Sequence, residues 1–241
     1  MGLERIPDFV ADAVRILPEA SRPADLEALL CGYLGHLVET NEQINLVSRR
    51  NTMDHVEVFT RECLFLARIL LEEWQTAKSD RPPRILDVGS GGGFPGMVLK
   101  IAMPEIEIQM VEATRKKARF LAEVAAGLDL RSTSVVWARA ENLAEVQKQA
   151  KAVEGSRFDW VTGKGLGSLE ESTLLAEPFL RAGGVHWTFK GAKCKDEIVA
   201  AGGMFRQRGF VLHRTEPIPG ERESYVVGVQ RQAGARRRRG R

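Results

Sequence analysis

The stretch Ile85–Gly96 reads ILDVGSGGGFPG. An apolar, β-forming run enters a glycine-rich turn, and a helical pattern follows. Glycine in such a turn lets the backbone reverse sharply and lets a ligand lie directly against it. Gly89, Ser90, Gly91 and Gly93 are therefore candidates to cradle a nucleotide-like cofactor. Gly91–Gly96 also fits G-x-G-x-x-G, which keeps a nicotinamide dinucleotide as a competing reading. Two carboxylates bear on that choice. Asp87 stands two residues before Gly89 and can face the cationic amino-acid end of S-adenosylmethionine, whereas it would repel a pyrophosphate. Glu112 closes the next β-like run, 23 residues after Gly89. It can accept both ribose hydroxyls of either cofactor, with Ala113 beside it. Each acid also has a plainer role open to it: Asp87 as a helix N-cap or loop anchor, Glu112 as the cap of the helix beginning near Thr114.

The elements that must position these residues follow from periodicity. Leu26, Leu29, Leu30, Tyr33, Leu34, Leu37 and Val38 recur at three-four spacing and make one helix face, with Pro23 suited to its first turn. A second stripe runs through Val56, Phe59, Cys63, Leu66, Leu70 and Trp74. From Arg84 the rhythm changes. Short runs at Arg84–Val88, Glu107–Val111, Thr133–Ala138, Phe158–Thr162 and Val185–Phe189 alternate with helical stretches, the pattern of a parallel sheet with helices on both faces. Runs at Phe210–Arg214 and Ser224–Gln230 have only a turn at PIPG between them, so they must pair antiparallel. Such a terminal hairpin is typical of methyltransferase sheets and favours S-adenosylmethionine. The expected fold is a Rossmann-like class I methyltransferase with a seven-stranded, mostly parallel sheet. The expected organisation is a helical extension over 1–80, a methyltransferase domain over 84–231 and an unfolded tail over 232–241. Backbone at Ala140 and Glu141, after the third strand, is placed to read an adenine edge.

These segments resemble a known family, the bacterial small-subunit ribosomal RNA guanine-N7 methyltransferases, also called glucose-inhibited division protein B. The resemblance runs from Asn45 to about Arg231. It is carried by LDVGSGGGFPG at Leu86–Gly96, VEATRKKARFL at Val111–Leu121, ARAENL at Ala138–Leu143, FDWVTGKGLGSL at Phe158–Leu169, GGVHWTFKG at Gly183–Gly191 and GERESYVVGVQR at Gly220–Arg231. INLVSRR at Ile44–Arg50 is similar to the family's Asn-Leu-Thr-Ser segment. The resemblance implies cofactor contacts at Gly89, Phe94, Ala140 and Glu141, and a basic contact at the end of the fourth strand. Here that place reads Gly163-Lys164-Gly165 where the family carries Ser-Arg-Ala; lysine keeps the charge and loses the planar fork. Val58-Phe59 and Glu62-Cys63 replace the family's Arg-His and Asp-Ser pairs.

Guanine N7 holds a free lone pair and no proton. Methylation there needs no general base, only alignment, which can supply roughly 7–11 kcal/mol. No catalytic residue is therefore assigned beyond positioning, with Lys164 the one candidate. Lys164, ending the fourth strand, is read as a cofactor-side or phosphate contact, and Lys190, ending the fifth, is expected to meet RNA phosphate. Charge is uneven: residues 1–83 carry 9 Lys+Arg against 14 Asp+Glu, and the rest is strongly basic. Arg236, Arg237, Arg238 and Arg239 form a tail suited to a phosphate backbone. Three scattered cysteines and four unclustered histidines suggest reduced thiols and no metal site. The chain shows neither a signal peptide nor a membrane span. It is expected to be a cytoplasmic monomer that binds ribosomal RNA or the small subunit. Two alternatives stay open: a methyltransferase acting on another RNA, a protein or a small molecule, and a non-catalytic RNA-binding assembly factor that retains the cofactor fold.

Overall fold

The structure, a computed structural model, describes residues 2–142, 157–220 and 222–233. Arg84–Val88 (β1) is apolar apart from Arg84 and Asp87, and all but Arg84 is buried. It pairs in parallel with Glu107–Glu112 (β2) on one side and Phe158–Gly163 (β4) on the other. Thr133–Trp137 (β3) extends the sheet beyond β2, and Leu180–Lys190 (β5) extends it beyond β4, both parallel. Phe210–Pro217 (β6) and Tyr225–Arg231 (β7) form the expected antiparallel hairpin, with β7 docked on β5. The order is β3-β2-β1-β4-β5-β7-β6. β5 starts five residues earlier than its apolar run, because Leu180 pairs with Phe158 ahead of the Gly183-Gly184 irregularity.

Alternate residues of the strands enter two cores. Ile85, Ile108, Met110, Trp160 and Trp187 face one side. Leu86, Val111, Val161, Val227 and Val229 face the other. This is the period-two consequence of the pleat. The first core is shared with Ile6–Ala13 (α1), Leu26–Asn41 (α2), Thr52–Ala77 (α3), Gly96–Ala102 (α4) and Arg115–Gly127 (α5). The second is covered by Leu169–Ala176 (α6) and Cys194–Arg208 (α7). Leu30, Leu34, Leu37, Cys63, Leu66 and Leu70 of the two expected stripes are fully buried. Pro23 lies ahead of α2 in a tight turn, its carbonyl accepting from Leu26 N at 3.2 Å. Among the described residues no helix is long and apolar enough to cross a membrane.

Candidate active site

The turn after β1 is eased by glycines in backbone conformations that other residues rarely adopt: φ is +68° at Gly89, +56° at Gly91 and +109° at Gly93. The loop folds over the end of β2. The amides of Gly89 and Ser90 donate to the Val111 carbonyl at 2.9 and 3.2 Å. Glu112, buried, accepts from Gly91 N at 2.9 Å through one carboxylate oxygen and from Thr114 N at 2.7 Å through the other. One side chain thus fixes both the glycine loop and the start of α5.

Asp87 does not face the crevice. It has no exposed surface. Its carboxylate accepts from Thr162 Oγ1 at 3.1 Å and from Gly96 N, the first residue of α4, at 3.2 Å. A Cβ on Gly96 would stand 2.6 Å from that carboxylate, so the bond requires glycine there. Burial pushes the Asp87 carboxyl up to about 7, against the pull of its hydrogen bonds. The position corrects the expectation of direct contact with a cofactor's cationic end: the side chain anchors the loop from beneath.

The N-terminal helices clamp the same loop. Tyr33, on the apolar face of α2, donates its hydroxyl to the Gly92 carbonyl at 2.8 Å. Asn41, at the end of α2, accepts from Leu46 N and Val47 N at 2.8 and 3.0 Å. That bend brings the Leu46 carbonyl 3.3 Å from where a Gly92 Cβ would sit. Sequence reasoning missed Tyr33 and Asn41 as loop supports. The signal was available: each is a polar group on or beside an apolar stripe, where burial demands a partner. Phe94 packs among these helices, its ring 5.9 Å from Tyr33 and 5.6 Å from Phe59.

Beyond Glu112, Ala113 is exposed and Ala140 is buried at the rim, with Glu141 exposed next to it. Trp137 ties the two strand ends together, its indole N–H donating to the Ala113 carbonyl at 3.0 Å. The candidate residues Gly89, Ser90, Gly91, Gly93, Glu112, Ala113, Ala140 and Glu141 therefore fall along the ends of β1, β2 and β3.

The basic candidates behave differently. Lys164, just past β4, pairs with Glu62 of α3, its ammonium 4.4 Å from the Phe59 ring centre and 4.7 Å from that of Phe189. Phe59, Glu62 and Lys164 thus meet at one point. Lys190 is the clearer correction. Its side chain is 5 % exposed, donates to the Gly167 carbonyl at 2.7 Å and pairs with Glu197 at 2.9 Å. Those internal partners leave it no reach toward an RNA phosphate. Arg236–Arg239 lie outside the described residues. His186 is buried, with its basicity pushed down to about 4 by desolvation, and cannot serve the crevice as a base.

A parallel sheet closed by an antiparallel hairpin, with a glycine loop held by carboxylates from β1 and β2, is the architecture of the Rossmann-like class I methyltransferases. Across 94 % of this chain and 67 % of its own, the CurJ carbon methyltransferase superimposes with a TM-score of 0.59 at 13 % identity, a likeness of fold alone. Residues 26–222 match the GidB family, described as rRNA small subunit methyltransferase G, and the chain belongs to that family. Similar relatives carry the name ribosomal RNA small subunit methyltransferase G. That of Sorangium cellulosum is 39 % identical over 80 % of this chain and 75 % of its own length. That of Chloroflexus aggregans is 34 % identical over 81 % and 77 %. The family match begins at the first residue of α2, earlier than the resemblance at Asn45 suggested, and so takes in Tyr33 and Asn41.

Proposed function

We propose that this chain transfers a methyl group from S-adenosylmethionine to N7 of a guanine in small-subunit ribosomal RNA. The observation that carries the reading is the clasp of Glu112 on the glycine loop, in a chain of this family. The residues present fit the cofactor. A Cβ at Gly91 would meet only the Gly89 carbonyl, at 3.8 Å, so the loop offers open backbone for close approach. Gly89, Ser90, Gly91 and Gly93 form the cradle. Glu112 receives the ribose hydroxyls through lone pairs left free by Gly91 N and Thr114 N. Ala113, Ala140 and Glu141 line the adenine. Asp87 acts from below, holding the loop in register with α4, and Phe94 and Tyr33 hold it from the helical side. When bound, the cofactor supplies a methyl carried on a sulfonium, its own leaving group.

N7 needs no deprotonation, so the protein's part is alignment and exclusion of water. Lys164 contributes as a positioning residue. Its charge is balanced by Glu62, which suits a reaction whose product base is itself cationic. Arg236–Arg239 add phosphate contacts. The test is methyl transfer from radiolabelled S-adenosylmethionine to small-subunit RNA, followed by chemical scission at N7-methylguanine. Label released at one guanine supports the reading. Label on another atom of RNA, or on protein, replaces it.

A further inference from the structure

The cofactor candidates occupy the ends of β1–β3. A different feature, a cavity of about 620 Å³, lies between α3 and the turn joining β6 to β7. Arg5, Val58, Arg61, Glu62, Ile218 and Arg222 are among its lining. That turn lies at the carboxyl end of the parallel strands, because Tyr225 at the start of β7 pairs with Lys190 at the end of β5. Ligands of open α/β sheets sit outside those ends. Glu62 links the cavity to the loop. It is ion-paired with Lys164, and Lys164 follows Gly163, where a Cβ would stand 3.0 Å from the Val88 carbonyl at the end of β1. The cavity thus opens one ion pair away from the strand end where the glycine loop begins.

Its walls combine three kinds of surface. Val58 and the buried Ile218 offer apolar faces from opposite sides. Arg5 and Arg61 are held in place by Asp54, Glu57 and Asp12, at 2.8–3.3 Å. Arg222 is exposed and makes no ion pair within 4 Å among the described residues. An unstacked nucleotide asks for such a set: apolar faces for the ring, polar groups for its edges and a spare cation for its phosphate. During transfer the C–S bond breaks with its electron pair left on sulfur, while the N7 pair forms the new N–C bond. The positive charge therefore ends on the base.

We infer that this cavity receives the target nucleotide of an RNA strand, its base between Val58 and Ile218 and its phosphate at Arg222. The inference rests on the RNA-methyltransferase reading above and adds the place and residues of target binding. The test uses the full chain with Val58→Trp, which fills the cavity, and Arg222→Glu and Arg222→Lys, which reverse or keep the rim charge. Methyl transfer to small-subunit RNA is followed at limiting RNA, with S-adenosylmethionine affinity by calorimetry and thermal melting alongside. Val58→Trp should lower kcat/KM for RNA at least tenfold. Arg222→Glu should raise the KM for RNA threefold to tenfold, and Arg222→Lys should restore most of the loss. Cofactor affinity should stay within twofold throughout. If Val58→Trp fails to fold, the two Arg222 variants decide the matter. Parent-like RNA kinetics in the folded variants, with an active parent, would overturn the cavity's role and leave the reaction standing. A parent that methylates no RNA would overturn the reaction and this inference with it.

Discussion

Along the carboxyl edge of the sheet, the two halves are held by different kinds of bond. Over β1–β3, side chains grip backbone: Glu112 holds Gly91 and Thr114, Asp87 holds Gly96, and Tyr33 holds Gly92. Over β4 and β5, ion pairs join such bonds: Lys164 pairs with Glu62 and Lys190 with Glu197, while Lys190 also donates to the Gly167 carbonyl. A loop fixed through its own amides keeps its shape whatever the ligand does. A pair of long side chains can exchange partners. On the function proposed above, the first half holds the cofactor and the second meets the RNA.

The comparison can be broken most sharply at Gly93. Its φ of +109° and a Cβ that would lie 2.7 Å from both the Tyr33 hydroxyl and Met97 make alanine doubly unfavourable. Backbone strain and overpacking together should cost about 3 kcal/mol of unfolding free energy. A denaturant midpoint equal to the parent's would show the loop to be pliable. Next is Glu112→Ala, which removes a carboxylate serving loop and ribose alike. S-adenosylmethionine affinity should weaken by roughly 1–3 kcal/mol. Unchanged binding by calorimetry would move the ribose elsewhere.

On the other half, Lys190→Ala should cost about 2 kcal/mol of stability, by stranding the Gly167 carbonyl and a partly exposed Glu197. It should leave the salt dependence of RNA binding as it was. A flatter salt dependence would return Lys190 to the RNA surface.

The fourth prediction concerns pH. In the folded chain Asp87 holds its proton up to about 7, against an ordinary value of 3.8. The folded state therefore binds that proton more readily than the unfolded one. Its stabilising contribution is full below about pH 4 and is lost as pH rises toward 7. His186 works oppositely: neutral when folded down to about 4 instead of 6.5, it favours folding above 6.5 and loses that as pH falls. Asp87→Asn should thus gain stability relative to the parent between pH 5 and 8, by on the order of 1–2 kcal/mol. Parallel pH profiles would mean the carboxylate is ionised throughout. The smallest effect on the fold belongs to the tail. Deleting 233–241 should leave melting and cofactor affinity unchanged while weakening RNA binding and flattening its salt dependence. Superimposable RNA curves would make the arginines a solubility appendage.

What could be read from the sequence follows the same division. The strand–glycine–helix run, Glu112 as the cap of the helix after Thr114, and the reversed hairpin were legible because each is contiguous and each is governed by local backbone rules. Asp87 was found, and its side chain's direction was not, since that depends on Thr162, 75 residues away. Lys190 was misjudged for a related reason. A lysine at a strand end reads as a cation for a ligand until a carboxylate from a later helix, Glu197, is known to sit against it. The Lys164–Glu62 pair spans 102 residues, and neither periodicity nor spacing announces it.

Val226 in the last strand shares its apolar core with Val10 in the first helix, and Tyr33 already leans on a loop some sixty residues downstream. A chain is synthesised from its amino end. The greasy faces of α1, α2 and α3 are therefore completed long before the strands that cover them exist. Through that interval the nascent chain carries an unprotected adhesive surface, and a translational pause between α3 and β7 prolongs its exposure. Slowing elongation there should raise the newborn protein's dependence on chaperones.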